Sequence, residues 1–410
     1  YQELLEQLEK QYPQYYELKY QTKTATVKNI QQHLDSSTVM LHYFVGDSVL
    51  HIFAITKDTF DIVTTTIDTT FHHHAKELYE RVQKINIVQK NNFQKFVQLN
   101  HSLYNHIIQP VEKLLRNKRV LVIIPDGILR YIPFEMLLRE KSANTKNFSS
   151  LKYLIKDFEI SYHYSAILWS GEAQQKYIPT KKETKFVGFA PVFDEKLTNN
   201  YAENYRFAFA DTTLRAAERG KFKALPETET ELRSIEKLFS HNAKMYFRHE
   251  ASEEKFKRIA NNYTGTYLHL ATHSFSNSTS PQLSGIVFSP PKDSTSTEDG
   301  ILYAGEIYNL ALPTSLVTLS SCESGIGKEV KGEGMLTLGR GFLYAGARNV
   351  LFSLWKVNDK QTGQLMIKFY KNVKKGKSYS ESLRKAKLFM LAKEETALPL
   401  YWSSFVLVGR

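Results

Sequence analysis

Residues 316–335 read LVTLSSCESGIGKEVKGEGM: an apolar run, then Cys322, then a loop carrying Gly325, Gly327, Gly332 and Gly334. Leu316, Val317, Thr318 and Leu319 have the apolar, partly β-branched character of a buried strand, and the glycines stop it. Cys322 is the only cysteine in 410 residues. A free cysteine at such a junction has two readings. It is either a small buried apolar side chain or a nucleophile displayed where a strand ends.

The same pattern recurs outward from this stretch. Apolar segments begin at Phe186, Lys244, Thr266, Ser315, Asn349 and Ser404, and helical periodicities lie at 227–240, 252–262, 333–346, 359–375 and 378–394. Continuous apolar strands separated by helices predict an α/β fold, a mostly parallel sheet with helices on both faces. Upstream, residues 39–56 read as a hairpin about Gly46-Asp47-Ser48, and 69–117 as a long amphipathic helical region. Residues 119–138 read as a buried strand, a turn at Pro125-Asp126-Gly127 and a short helix, and 158–164 as a strand. A linker rich in Gln, Lys and Thr spans about 174–185. The chain thus divides into a helical segment at 1–34, an N-terminal α/β lobe at 35–180 and a second α/β lobe at 181–410. The first segment suits the end of a helical repeat array, and without an initiating Met the chain reads as part of something longer.

Composition narrows the function classes. No run of eighteen apolar residues exists, and the opening YQELLEQLEK is too polar for a signal peptide, so no membrane association is expected. One cysteine forms no internal disulfide, which fits a cytoplasmic setting. The net charge is +12, but the basic clusters at 116–119, 181–185 and 371–377 are dispersed along the chain. They read either as solvated surface or as a nucleic-acid or acidic-partner site. No cofactor or metal is expected. Gly376-Lys377-Ser378 follows a helix and has Lys371 where a phosphate-binding loop needs glycine. His72, His73 and His74 point to different sides of a helix, and no Cys/His set has zinc spacing.

In parallel α/β sheets, ligands bind beyond the carboxyl ends of the strands. YLHLATHS ends in His273-Ser274 and LVTLSSC ends in Cys322, each just past an apolar run. If the two strands are parallel neighbours, an imidazole and a thiol leave the same edge. The imidazole can then take the thiol proton and later protonate a leaving amine. Their separation, 49 residues, matches the roughly 50 of caspases. The caspase pentapeptide itself is absent.

With these residues stand LVTLSSCESGIG (316–327), GEGMLTLGRGFLYAGARNVLFSLWKVND (332–359) and LPLYWSSFVLVGR (398–410). Earlier come VIIPDGILRYIPFEMLL (122–138), YLIKDFEISYHYSA (153–166) and LPETETEL (225–232). Together they resemble a CHAT domain, the caspase-like cysteine protease module related to separases, over about residues 35–410. The resemblance implies an endopeptidase with His273 and Cys322 as its catalytic pair and the backbone N–H groups of Cys322 and Ser274 as its oxyanion donors. The family usually has glycine where this chain has Ser274, and a position needing positive φ would be strained by that change.

The resemblance also implies that Trp355, Asp359 and Glu323 lie toward the substrate. Asp359 either favours a basic substrate residue or caps the helix starting at 359 or 360; Gln361 and Gly363 replace acidic residues of the separase motif. Residues 274–300, rich in Ser, Thr and Pro around GIVF, read as a flexible flap. The glycines after Cys322 read as a mobile loop or a tight turn, and those at 339, 341 and 346 as permitting close helix–sheet packing. The first half has no His–Cys pair, so it reads as a pseudo-protease-like lobe. Expected partners are a protein substrate, for instance a gasdermin-like effector in bacterial signalling or defence, and an upstream TPR or sensor. Nucleic acid is not expected to bind directly. The alternatives are a catalytically silent CHAT-like scaffold and a basic nucleic-acid-binding module.

Overall fold

The computed structural model describes residues 24–84, 90–141, 147–174, 185–193, 225–275, 280–291, 296–320, 329–330, 334–335 and 338–409. Within these residues lie β1 (Thr38–Val45), β2 (Val49–Ile55), β3 (Phe60–Thr66), β4 (Val120–Ile124), β5 (Glu159–Tyr162), β6 (Phe186–Ala190), β7 (Ala243–Phe247) and β8 (Tyr267–Leu270). They continue with β9 (Ser274–Phe275), β10 (Gly285–Val287), β11 (Ile301–Tyr303), β12 (Leu316–Leu319), β13 (Glu329–Val330), β14 (Gly334–Met335), β15 (Asn349–Ser353) and β16 (Phe405–Gly409).

Eleven of these strands form one sheet in the order β3-β2-β1-β4-β5-β16-β15-β12-β8-β6-β7. The β1–β2, β2–β3 and β15–β16 pairs are antiparallel, and the other seven neighbouring pairs are parallel. The predicted mostly parallel α/β sheet is therefore what forms. Its central strands are buried and largely apolar because both faces are covered. His269, Thr318 and Leu351 are register partners and share one face. That face meets the helices Glu227–Phe239 and Asp359–Lys374, which supply Glu231 and Tyr370 to His269. Leu270, Leu319 and Phe352 share the opposite face, where the helix Leu338–Tyr344 crosses so closely that a Cβ at Gly339 would sit 2.7 Å from the Phe352 ring. Gly339 thus permits the expected close packing. Gly346, at φ 105°, instead makes the turn that ends this helical segment.

Several boundaries differ from the sequence reading. The long helical region is two helices, Thr69–Val82 and Lys90–Ile107, followed by a 3-10 turn at Gln109–Leu115 with Pro110 in its first turn. The unassigned FDIVTTT is the edge strand β3, legible only as weak alternation because it is largely exposed. The stretch expected as a flexible flap is held, in its described parts, in the small sheet β11-β10-β9, with Ile286, Val287 and Phe288 fully buried. Of the first predicted segment, the described part contains the short helix Val27–His33, opened by a Thr26/Asn29 capping box; residues 1–23 and most of the 174–185 linker lie outside the described residues.

The two halves of the sheet meet at β5 and β16, through the register pair Val408–Tyr162. Side chains of the helix Tyr379–Leu391 reinforce this seam. Arg384 Nε donates to the Ile155 carbonyl at 2.8 Å, and Lys387, fully buried, places Nζ 2.6 Å from Glu135 Oε1. The Tyr162 hydroxyl donates to the other oxygen of Glu135 and accepts the Phe134 N–H at 2.8 Å. Burial pushes the Lys387 ammonium pKa down, and the Glu135 charge opposes that shift. Breaking such a pair from one side strands a charge, whereas replacing both partners with apolar groups does not. Lys387→Ala should therefore cost about 3–5 kcal/mol in urea unfolding, and Lys387→Met with Glu135→Leu should recover most of it. Equal losses in the single and double variants would contradict this coupling.

Candidate active site

β8 and β12 are parallel neighbours with Leu270 opposite Leu319. His273 stands three residues beyond Leu270, and Cys322 three residues beyond Leu319. The ladder continues past the strands, since the Ser320 N–H donates to the Leu270 carbonyl at 2.9 Å. Cys322 and Glu323, with Gly325, Gly327 and Gly332, lie outside the described residues.

The chain around His273 is fixed from several directions. The Ala271 N–H donates to Phe189 O, and the Val287 N–H donates to His273 O, both at 2.9 Å. The Thr272 hydroxyl donates to the Val287 carbonyl. The imidazole packs against Phe193, with ring centroids 4.8 Å apart. Phe193 follows Val192, a β-branched residue held at φ 50°, and such strain persists only where the surroundings dictate the conformation. Ser274 pairs with Ile286 as extended strand and is not among the positive-φ residues. The change from glycine to serine therefore carries no backbone strain here.

On the face beneath these strand ends lies a buried polar cluster. Glu231 is 1% exposed and His269 0%. The Ser320 hydroxyl donates to Glu231, at 3.0 and 3.2 Å from its two oxygens. Glu231 Oε1 is also 2.8 Å from His269 Nε2, but off the line of an aligned hydrogen bond. The Tyr370 hydroxyl lies 3.2 Å from His269 Nδ1 and 2.7 Å from Thr318 Oγ1. Burial pushes the Tyr370 phenol far above its ordinary pKa, so it stays a neutral donor.

The CHAT domain family model matches residues 98–410. The chain belongs to the CHAT domain family. Tetratricopeptide repeat protein 28 of Homo sapiens is 33% identical over 109 residues, covering 27% of this chain and 4% of that protein. Its Mus musculus counterpart matches over the same shares, so the chain spans a small fraction of these relatives. Among solved structures, the Saccharomyces cerevisiae separase–securin complex is similar at TM-score 0.40 and 12% identity, over 84% of this chain and 20% of that one. The Arg-specific cysteine proteinase gingipain R is similar at TM-score 0.43 and 8% identity, over 83% and 75%.

In this CHAT domain, Trp355 is fully buried, and its indole donates to the Leu400 carbonyl at 3.2 Å. It is part of the core and presents no surface to a substrate in this conformation. Asp359 is half-buried, and it does not cap its own helix; Asn358 does, accepting the Lys360 N–H at 3.0 Å. Asp359 Oδ2 accepts instead from the Glu227 N–H, 3.0 Å away at the start of another helix. Spacing along the chain gives no sign of that second contact.

No helix among the described residues is long and apolar enough to cross a membrane. The carboxylates of Glu253, Glu298 and Glu306 converge closely enough to hold a cation, and the Lys257 ammonium fills that place. Burial raises the Glu253 pKa to about 8 despite this partner. Sequence reasoning passed over Phe193, Glu231, His269, Ser320 and Tyr370. The one available signal was a polar His269 inside an otherwise apolar strand.

Burial, together with the nearby charges of Glu231 and Glu227 and against the Glu227 N–H bond, pushes Asp359 up to about 6. A carboxyl raised in the folded state binds a proton that the unfolded chain has released, so its contribution to stability falls as pH rises. Asp359→Asn keeps an acceptor for the Glu227 N–H and removes the ionisation. Between pH about 4 and about 6 the wild type should lose stability relative to Asp359→Asn, and above that range the two should run parallel. Denaturation midpoints across the range check this, and parallel curves throughout would contradict it.

Proposed function

We propose that this CHAT domain is a cysteine endopeptidase acting through Cys322 and His273. The observation that carries the reading is the common register: both residues stand three positions beyond the Leu270–Leu319 pair of adjacent parallel strands. His273 accepts the thiol proton, and the Cys322 thiolate attacks a peptide carbonyl. The N–H groups of Cys322 and Ser274 hold the tetrahedral oxyanion, a role the extended backbone of Ser274 supports. Collapse expels the amine with the proton from His273, and water activated by the same imidazole hydrolyses the thioester.

The first half acts as a pseudo-protease-like lobe bracing the sheet at the β5–β16 seam, with the lobes divided as the sequence suggests. Asp359 and Glu323 belong to the substrate side in this proposal, and Asp359 ionising near 6 makes any preference for a basic residue pH-dependent. The tetratricopeptide repeats named in the matching relatives support an upstream TPR or sensor as regulator. The substrate is a cytoplasmic protein, with a gasdermin-like effector in bacterial defence or signalling as the family analogy.

A peptide-library cleavage profile tests the activity, run on the chain with its activating partner. Cys322→Ala and His273→Ala should each lower cleavage by about 10³-fold or more while leaving the unfolding midpoint within error. Undiminished cleavage by Cys322→Ala would overturn the assignment.

A further inference from the structure

We infer that Glu231 is a positioning residue for the Cys322–His273 pair, acting through Ser320; this rests on the proposed protease reading. Glu231 lies on the helix Glu227–Phe239 and touches both strands that lead to the pair. It accepts the Ser320 hydroxyl at the end of β12, two residues before Cys322. Its Oε1 is 2.8 Å from His269 in β8, four residues before His273. The Nε2–H tautomer of His269 suits this neighbour and leaves Nδ1 to accept from Tyr370.

A stability role alone accounts poorly for this carboxylate. A buried acid costs free energy unless well paired, and an apolar side chain of similar volume is often neutral or better in its place. Among the described residues, Glu231 has one aligned side-chain donor, Ser320, and one off-axis neighbour, His269. Its partners nevertheless lie on β8 and at the residue that follows β12, on the face beneath the shared strand edge. The helix Asp359–Lys374 passes close by, and a Cβ added at Gly363 would meet the Glu231 side chain at an ordinary contact distance of 3.6 Å. Glu231 therefore fixes the azimuth and depth of the two strand ends relative to each other, the coordinate on which an imidazole–thiol hydrogen bond depends.

Because Cys322 is the only cysteine, its alkylation by iodoacetamide reports the thiolate without any substrate. The pH profile of that rate is measured on the full chain for the wild type, His273→Ala, Glu231→Leu, Glu231→Gln and Ser320→Ala. If the pair is formed, His273→Ala moves the inflection up toward the free-thiol value of about 8.5. Glu231→Leu and Ser320→Ala should move it the same way and slow alkylation near pH 6.5 by about tenfold, as a misplaced imidazole would. Glu231→Gln, which keeps an acceptor at Oε1, should stay within about threefold of the wild type. Removing a negative charge would by itself move the inflection down, so an upward shift reports position.

A profile unmoved by Ser320→Ala and Glu231→Leu, alongside one moved by His273→Ala, overturns this inference and leaves the protease reading standing. So does an unfolding midpoint that falls while the profile does not move. Leu and Gln variants that both move the inflection down also overturn positioning, in favour of charge. A profile unmoved by His273→Ala overturns the protease reading itself. Ser320→Ala loses one hydroxyl and keeps the test decisive if Glu231→Leu fails to fold.

Discussion

The pairing of β8 with β12 is the constraint on which the rest depends. Two parallel strands with Leu270 opposite Leu319 end in step at one edge of the sheet. A slip of one residue would move every side chain of β12 to the opposite face. Thr318 and Ser320 would then leave Tyr370 and Glu231, and three buried polar groups would lose their partners. The polar cluster and the apolar packing of Leu319 thus specify the same register. Agreement between those two levels is what gives a single native arrangement.

That edge is supported from far away. The helix Asp359–Lys374 brings Tyr370 beneath it and contributes Asp359 to the start of the helix bearing Glu231. The neighbouring helix Tyr379–Leu391 sends Lys387 across the seam to Glu135 in the first half. The first half therefore enters the same sheet rather than forming a detached body, and the chain between β5 and β16 serves both. Beside the small sheet, Glu253 accepts the Gly300 N–H at 2.8 Å while Lys257 gathers Glu298 and Glu306. This fastens the described residues that follow His273 to the helix Glu253–Ile259.

Much of this was legible in the residues. Apolar runs of four or five, such as FVGFA and NVLFS, read as buried strands because both faces are covered, and the alternation with helices gave the parallel sheet. His273 and Cys322 stood out because they follow such runs. The unread parts share a cause: they depend on contacts distant in sequence. Ser320 meets Glu231 across 89 residues, and Lys387 meets Glu135 across 252; no local pattern encodes either. Residues 274–300 misled because Ser, Thr and Pro at their borders signal a loose loop, while burial of Ile286, Val287 and Phe288 decides the outcome. Trp355 and Asp359 were placed toward a substrate by resemblance, and the indole lies in the core.

The proposed mechanism requires His273 and Cys322 to act on each other. The most direct measurement is the NMR titration of the His273 imidazole in the wild type and in Cys322→Ala. A coupled pair predicts a higher imidazole pKa in the wild type than in the variant, because the thiolate stabilises the imidazolium. Superimposable titration curves would contradict the account.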